Sequence, residues 1–498
     1  MKGRCILIGS GLGGLSCGAV LARNGYDVTI LEQDARIGGC LQCFHRGGAK
    51  FETGMHFIGC CEPGQVVDQL LRYLEVREGL RLRELDPTGY EVIALRGERF
   101  HFARGREAFI EGLVERFPAE RDSLEAYYDL VERVAASSAL HALQAGGSDL
   151  ALLTEYQLRS INSVLDGLIR DPLLRDVLVG DLPLYAAERD RTPFATHAFI
   201  TDLYNHGAYR FVGGSDALAE ALANTVRRYG GRILTGRRVV RIDCDAVRAR
   251  AVETADGERF EADLVISSAH PRRTLEMIDS QLIRPAYRRR IEAMRNTTAC
   301  FSLYLRFRDG AVPYMNHNFF GYTGDSPWGC EAYTGQDWPR GYLYMHTCHD
   351  EEERWARAGV VISYMSFDEM MPWIDTRVGN RGEEYEAFKR QRAQRLLEAV
   401  EREFPGLGRQ VEASWSATPL TYRDYTGTEC GSIYGVVHDV GGGLGSRISH
   451  RTRIPNLLLT GQNVNSHGIL GVLVGTLLTC GEVIGAQTIL EQIKKANS

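Results

Sequence analysis

The sequence predicts an α/β fold built on a parallel sheet, and three observations predict it. Residues 5–32 run from an apolar strand through a glycine-rich turn into a helix and out to a second strand. Residues 213–268 repeat that alternation, with a helix stopped by a glycine pair and short strands after it. Residues 457–485 pass from a strand through one glycine into a helix of small residues. Strands alternating with helices in this way are what a parallel sheet requires of its connections.

At 498 residues the chain has the length of two or three domains. Hydrophobic residues at 44% and charged residues at 24% are globular proportions, which exclude a disordered, collagen-like or coiled-coil chain. A formal charge of −6 gives no electrostatic reason to bind nucleic acid or an anionic membrane. Met1-Lys2-Gly3-Arg4 leads straight into the first strand without the features of a secretory signal. The longest apolar stretch, Ile469 to Leu478, is broken by glycines and falls short of the ~18 residues a membrane span needs. Twelve scattered cysteines suit a reducing compartment. The expectation is a cytoplasmic protein whose membrane contact, where it has one, is peripheral. Nothing in the sequence sets an oligomeric state.

The elements follow in order. Cys5–Ile8 reads as a strand, Gly9, Gly11 and Gly14 form Gly-x-Gly-x-x-Gly with an added Gly13, Leu15 to Asn24 reads as a helix, and Asp27–Leu31 as a strand ending on Glu32. Gly9 permits the tight turn, Gly11 lets the backbone approach a pyrophosphate, and Gly14 lets helix and strand pack closely. The helix amino terminus offers unpaired N–H groups to that pyrophosphate. Glu32, eighteen residues beyond Gly14, is in register to accept hydrogen bonds from an adenosine ribose. The unit binds a dinucleotide. Arg36 and a second glycine pair, Gly38 and Gly39, come directly after the acid. An NAD site has no need of that second turn, whereas extended FAD needs close backbone approach along its ribityl chain, so the cofactor expected is FAD.

Residues 51–59, FETGMHFIG, read as one strand closed by glycines. Asp216–Tyr229 reads as a helix stopped at Gly230-Gly231, with two short strands behind it and another at Ala262–Ser268. Residues 105–190 carry helical spacing, residues 297–367 read as aromatic strands, and Glu383 to Phe404 as an amphipathic helix with Tyr385, Phe388, Leu396, Val400 and Phe404 facing inward. Leu457–Thr460 reads as the last strand, and a helix begins near Gly468. The run Gly441-Gly442-Gly443-Leu444-Gly445 has no strand before it and no amphipathic helix after it, so it reads as a loop and not as a nicotinamide fold. NAD(P)H would have to visit the flavin as a transient electron donor.

GGC at 38–40, F-x-TG-x-H-x-IG at 51–59, GGSDAL at 213–218, YGVVHD at 434–439 and LLLTGQNVNSHGILG at 457–471 occur in this order over nearly the whole chain. With these motifs the chain resembles the carotenoid isomerase and retinol saturase branch of the phytoene desaturase-like flavoproteins, whose FAD signature flavin amine oxidases share. Where the family pattern usually places an arginine after the glycine pair, this chain has Cys40. The resemblance implies a glutathione reductase-like FAD domain assembled from 1–75, 205–275 and 430–498, with an α+β substrate domain from 76–204 and 276–429. It implies FAD contacts from Gly9, Gly11, Leu12, Gly13, Gly14, Glu32, Gln33, Arg36, Gly38, Gly39, Cys40, Met55, His56, Val239, Gly461, Gln462, Asn463, Ile469, Leu470 and Gly471. It further implies an oxidoreductase that reduces, desaturates or isomerises double bonds of a hydrophobic polyene or isoprenoid.

His56, Tyr434 and His438 are the candidates for catalysis, the last two as proton donors to a carbon skeleton. An amine oxidase is the alternative, and such enzymes resemble one another in holding a lysine near the flavin. Five of the 58 basic residues here are lysines, of which Lys50 alone is placed to approach it. A flavin-bearing lipid-binding module is a third reading. Phe301, Tyr304, Phe319, Phe320, Tyr322, Trp328 and Tyr333 would line a lipophilic tunnel or fill the core. LLRDVLVGDLPLY at 173–185 would dip into a bilayer surface or form a buried helix. Cys40-x-x-Cys43 and Cys60-Cys61 match no common zinc pattern, so no metal site is expected.

Overall fold

The first strand, Arg4–Ile8, lies at the centre of a five-stranded sheet in the computed structural model, which describes residues 2–143 and 149–498. Across the sheet the order is Arg232–Leu234, Asp27–Leu31, Arg4–Ile8, Leu264–Ser267 and Leu457–Leu459, and all four pairings are parallel. Both faces are covered, and the period of two along a strand divides its side chains between them. Cys5 and Leu7 pack with helices Leu12–Arg23, Asp216–Arg228 and Gly468–Ile484. Ile6 and Ile8 pack on the other side, against an antiparallel meander of Val239–Cys244, Ala249–Thr254 and Arg259–Glu261. The glycine-rich first helix lies close on its sheet: a Cβ at Gly18 would stand 2.8 Å from Ile30 Cδ1.

A second, seven-stranded sheet runs Val411–Ala417, Ala299–Phe307, Ala358–Met365, Gly341–His346, Asn318–Tyr322, Glu91–Leu95 and Glu98–Phe102. It is antiparallel except where Asn318–Tyr322 meets Glu91–Leu95. Ile93 and Leu95 face helices Arg121–Ala136 and Phe194–Asn205, while Val92 and Ala94 face helix Glu383–Glu403. A small antiparallel sheet of Ile58–Gly59, Ala208–Phe211 and Leu82–Glu84 lies between the two systems.

One expectation is corrected here, and one open alternative is decided. Residues 51–59 are not one strand. Ala49–Glu52 pairs with Cys43–Arg46, the chain leaves regular structure at Thr53, and Ile58–Gly59 pairs elsewhere. The break sends residues 53–57 past the cavity described below. Residues 173–185 form helix Pro172–Leu178 and a short turn, and Leu174, Val177, Leu178, Val179, Leu182 and Tyr185 are all buried in the core. They leave no apolar face for a bilayer. No helix among the described residues is long and apolar enough to cross a membrane.

Candidate functional site

A cavity of about 940 Å³ opens where the carboxyl ends of the central parallel strands face the second sheet. That is near the upper limit of small-molecule sites, and the crevice beyond parallel strand ends is where such sheets bind ligands. Its two ends differ in chemistry.

One end is built by the first glycine turn. Gly11 precedes helix Leu12–Arg23 in extended conformation, and no side chain caps the helix, so its first N–H groups face the cavity free. A Cβ on Gly11 would meet nothing within 4 Å, which marks open space against the backbone. A Cβ on Gly13 would stand 2.8 Å from Gly461, so the two ends of the polypeptide meet at this wall. Glu32 is buried and held: its Oε2 accepts from Ser10 N at 2.8 Å and Ser10 Oγ at 2.6 Å, and its Oε1 from Asp34 N at 2.9 Å. Gly38 N donates to Ser10 O at 3.0 Å, laying the second glycine turn against the first. These features fit the pyrophosphate and ribose of FAD. Helix Gly468–Ile484 packs beside helix Leu12–Arg23 and brings its own amino terminus to the cavity through Ile469, Leu470 and Gly471.

Of the expected cofactor contacts, Gly9, Gly11, Leu12, Gly13, Glu32, Gln33, Gly38, Gly39, Cys40, Met55, His56, Val239, Gly461, Gln462, Asn463, Ile469, Leu470 and Gly471 line the cavity. Gly14 and Arg36 do not. Gly14 packs on the turn itself, where a Cβ would lie 2.0 Å from Gly9 O. Arg36 Nη1 donates to Cys43 O at 3.0 Å and braces the second turn. Asn463 Oδ1 accepts from Val436 N at 2.9 Å and ties the loop before the last helix to the segment containing Tyr434.

The charged side chains of the cavity wall are Glu32, Arg237, Arg238, Arg273, Glu276, Arg423 and Asp424; Arg237 N donates to Glu32 O at 2.7 Å, and Gly427, just beyond Asp424, lies against Gln33. The inner end is walled by Phe57, Phe199, Ile200, Leu203, Tyr204, Leu343, Ile362, Tyr364 and Tyr434. Its ionisable groups are held neutral by burial, which pushes His467 and His141 down to about 4, Cys300 up to about 12, and the Tyr434 phenol up. Tyr434 Oη donates to Pro183 O at 3.0 Å, and its ring lies 4.4 Å from that of His467. His56 is buried with neither ring nitrogen hydrogen-bonded, and its Nδ1 stands 3.5 Å from Glu52 Oε2. His438 is not on this cavity. It lines a second, small one, with Tyr434, Gln462 and His467 shared between the two.

None of the seven aromatic residues named as tunnel candidates reaches the cavity. Phe301 and Phe319 point into one face of the second sheet, and Tyr304 and Phe320 into the other. Strand alternation places them in the two cores, and the cavity takes its aromatics from Tyr342 and Tyr364 of later strands and from helices and loops. Lys50 Nζ pairs with Asp216 Oδ1 at 2.6 Å and does not line the cavity. Cys60 Sγ and Cys61 Sγ donate to the carbonyls of Leu203 and Gly59. The wall residues missed by sequence reasoning include those of helix Pro419–Thr426 and the turn after it, of helix Phe194–Asn205, and of strands Gly341–His346 and Ala358–Met365, which carry no motif. His467 stood inside a recognised block without a role.

The family model described as flavin containing amine oxidoreductase matches residues 12–473. The all-trans-retinol 13,14-reductase of Homo sapiens is 28% identical over 99% of this chain and 87% of its own length. The 4,4'-diapolycopene oxygenase of Methylomonas sp is 25% identical over 93% of this chain and 94% of its own. Among solved structures, an oxidoreductase from Methanosarcina mazei superposes with a TM-score of 0.64 at 15% identity, covering 95% of this chain and 99% of that one, a likeness of fold.

Proposed function

Because the chain belongs to the family of flavin-containing amine oxidoreductases, we propose that it is an FAD-dependent oxidoreductase acting on carbon–carbon double bonds of a polyene or isoprenoid substrate, a reductase in the first instance. The observation that carries this reading is the inner end of the cavity, walled by aromatic and aliphatic side chains and free of lining carboxylates and guanidiniums. An amine cation finds no charged partner there, and Lys50 is engaged with Asp216 away from the cavity. A long apolar chain is matched along the wall. The human relative, named for reducing a retinol double bond, supports the same substrate class.

FAD, when bound, supplies the hydride chemistry. The chain's residues do the rest. The unpaired amides at Leu12–Gly14 and the carboxylate of Glu32 hold the dinucleotide, and the irregular segment 53–57 with loop 461–467 frames the reactive face. The apolar inner wall excludes water and orients the substrate, as a site for hydrophobic ligands should. His56 stands on the wall to hold a proton near the reacting carbons, Tyr434 lines that wall with its hydroxyl donated to Pro183 O, and His438 stands behind it. The segments 1–75, 205–275 and 430–498 serve as the cofactor domain and the intervening ones as the substrate domain. Any membrane contact is peripheral.

FAD-loaded protein, reduced anaerobically and mixed with all-trans-retinol or a linear carotene, tests the proposal. Flavin reoxidation with product gaining two hydrogens is expected. A geometric isomer formed at unchanged mass, with the flavin still reduced, assigns the isomerase variant of the same chemistry. Hydrogen peroxide released from amines, with no change in any polyene, overturns the reading.

A further inference from the structure

Behind the inner wall lies a second cavity of about 20 Å³, bounded by Tyr185, Thr192, Thr196, Thr297, Tyr434, His438, Gln462 and His467. That volume suffices for one water molecule, and a water needs two to four polar partners. This wall supplies them as threonine hydroxyls, an amide and two imidazoles. His467 joins the two cavities, because it lines both. Its Nε2 is buried and has no hydrogen-bond partner in the protein. A buried nitrogen left unsatisfied costs about 1–3 kcal/mol, and such groups usually meet an ordered water.

The hydrogen-bond polarity is consistent from end to end. Arg447 Nη1 can only donate, and it stands 3.5 Å from His438 Nδ1. His438 Nδ1 is therefore the acceptor, and Nε2 carries the hydrogen. Burial keeps both imidazoles neutral, so each has one donor and one acceptor nitrogen. Tyr434 cannot fill the same role in place, since its hydroxyl is committed to Pro183 O at 3.0 Å.

We propose that the small cavity holds one ordered water, and that His438, this water and His467 form a relay delivering the proton that completes double-bond reduction in the main cavity. The inference rests on the double-bond reading above. In the balanced step, bound reduced FAD would supply the hydride for one carbon of the double bond, and His467 Nδ1–H gives its proton to the neighbouring carbon. The C=C π bond is lost, and two C–H bonds form. His467 takes a proton on Nε2 from the water, the water takes one from His438 Nε2–H, and His438 is reprotonated from solvent. The flavin is oxidised by two electrons and the substrate reduced by two. His467 is then the catalytic residue, and His438 is a positioning residue acting through the water.

Two measurements on the FAD-loaded protein test this. A high-resolution crystal structure is expected to show one water within hydrogen-bond distance of His467 Nε2 and His438 Nε2, and a dry cavity overturns the proposal whatever the substrate. In single-turnover reoxidation by all-trans-retinol, His467→Phe and His438→Phe are expected to slow the step by about 100-fold with KM little changed, the scale of a lost general acid. The wild-type solvent deuterium isotope effect should increase in His438→Phe, and imidazole should restore rate to His467→Gly. Thr196→Ile, which fills the small cavity and spares both imidazoles, should slow the step likewise. Wild-type rate in His438→Phe or in Thr196→Ile overturns the relay. Flavin absorbance reports that each variant is folded and loaded. A wild-type protein that leaves polyenes untouched fails the substrate reading, and the crystallographic result then decides the water site by itself.

Discussion

Gly11 and Gly14 stand three residues apart in one turn and answer to different constraints. At Gly14 a Cβ would lie 2.0 Å from Gly9 O, inside any permissible contact, so the residue is required by the fold itself. At Gly11 a Cβ would meet nothing within 4 Å, and the backbone there is ordinary extended chain, so the residue is required by what comes to lie against it. Gly11→Ala is therefore expected to leave the stability of the cofactor-free protein within ~0.5 kcal/mol of wild type while weakening FAD more than tenfold, read by flavin fluorescence titration. Gly14→Ala is expected to destabilise the cofactor-free protein by about 1–3 kcal/mol or more, read by its thermal midpoint. The motif was legible in the sequence, and the division of labour within it was not. Nor was the carboxyl pair Glu91 and Asp181, which sequence distance separates and the core brings together. Burial, then for Glu91 the nearby Asp181 charge, raises both, with Asp181 at about 7. For an acid raised in the folded state, the unfolded chain releases its proton first. Stability is accordingly lost as pH rises from about 4 to 7. Asp181→Asn should remove that loss. It is expected to be more stable than wild type by about 4 kcal/mol above pH 7 and to match it near pH 4, measured by denaturant unfolding at each pH.

The elements that position the site are two breaks in regular structure. Residues 53–57 leave the hairpin strand to border the cavity, and residues 461–467 turn the last parallel strand into helix Gly468–Ile484. The helices and parallel strands were legible because hydrophobic period and glycine stops specify them locally. Leu12–Arg23, Asp216–Arg228 and Glu383–Glu403 all lie within a few residues of expectation. The break at Thr53 was not legible, because alternation continues through FETGMHFIG and only the competing partners of its two halves, Cys43–Arg46 and Ala208–Phe211, divide it. The aromatic run from 301 to 333 read equally well as tunnel or core, since period two says that a face is buried and not what lies upon it. In the second break the side chain of Asn463 replaces a strand partner: Oδ1 accepts the buried N–H of Val436 at 2.9 Å. Asn463→Ala is expected to cost about 1–3 kcal/mol by leaving that amide unpaired. Asn463→Asp, which keeps an acceptor at the same place, should recover most of the loss in thermal midpoint. Equal destabilisation by the two would refute the tie.

At the scale of the whole molecule, the cofactor site belongs to no single stretch of chain. The wall at Gly13 touches Gly461, strands Arg4–Ile8 and Leu457–Leu459 flank Leu264–Ser267 in one sheet, and segment 53–59 reaches the same cavity from the hairpin side. A ligand bound there interacts with parts of the chain more than 400 residues apart, so its binding energy enters the stability of all of them at once. FAD at one hundred times its dissociation constant should stabilise the folded state by about 2.7 kcal/mol. Because residues from both ends of the polypeptide line the cavity, that protection should not be confined to the glycine turn. Amide hydrogen exchange with and without FAD is the discriminating measurement. Slowed exchange is expected together at residues 9–15, 53–59 and 461–472, the three walls of the cavity, with little change in helix Glu383–Glu403 on the far face of the second sheet. Protection of the first segment without the last would mean that the carboxy-terminal helix does not close on the flavin. The reactive face would then be open to water, and the dry hydride chemistry assigned to it would not be possible.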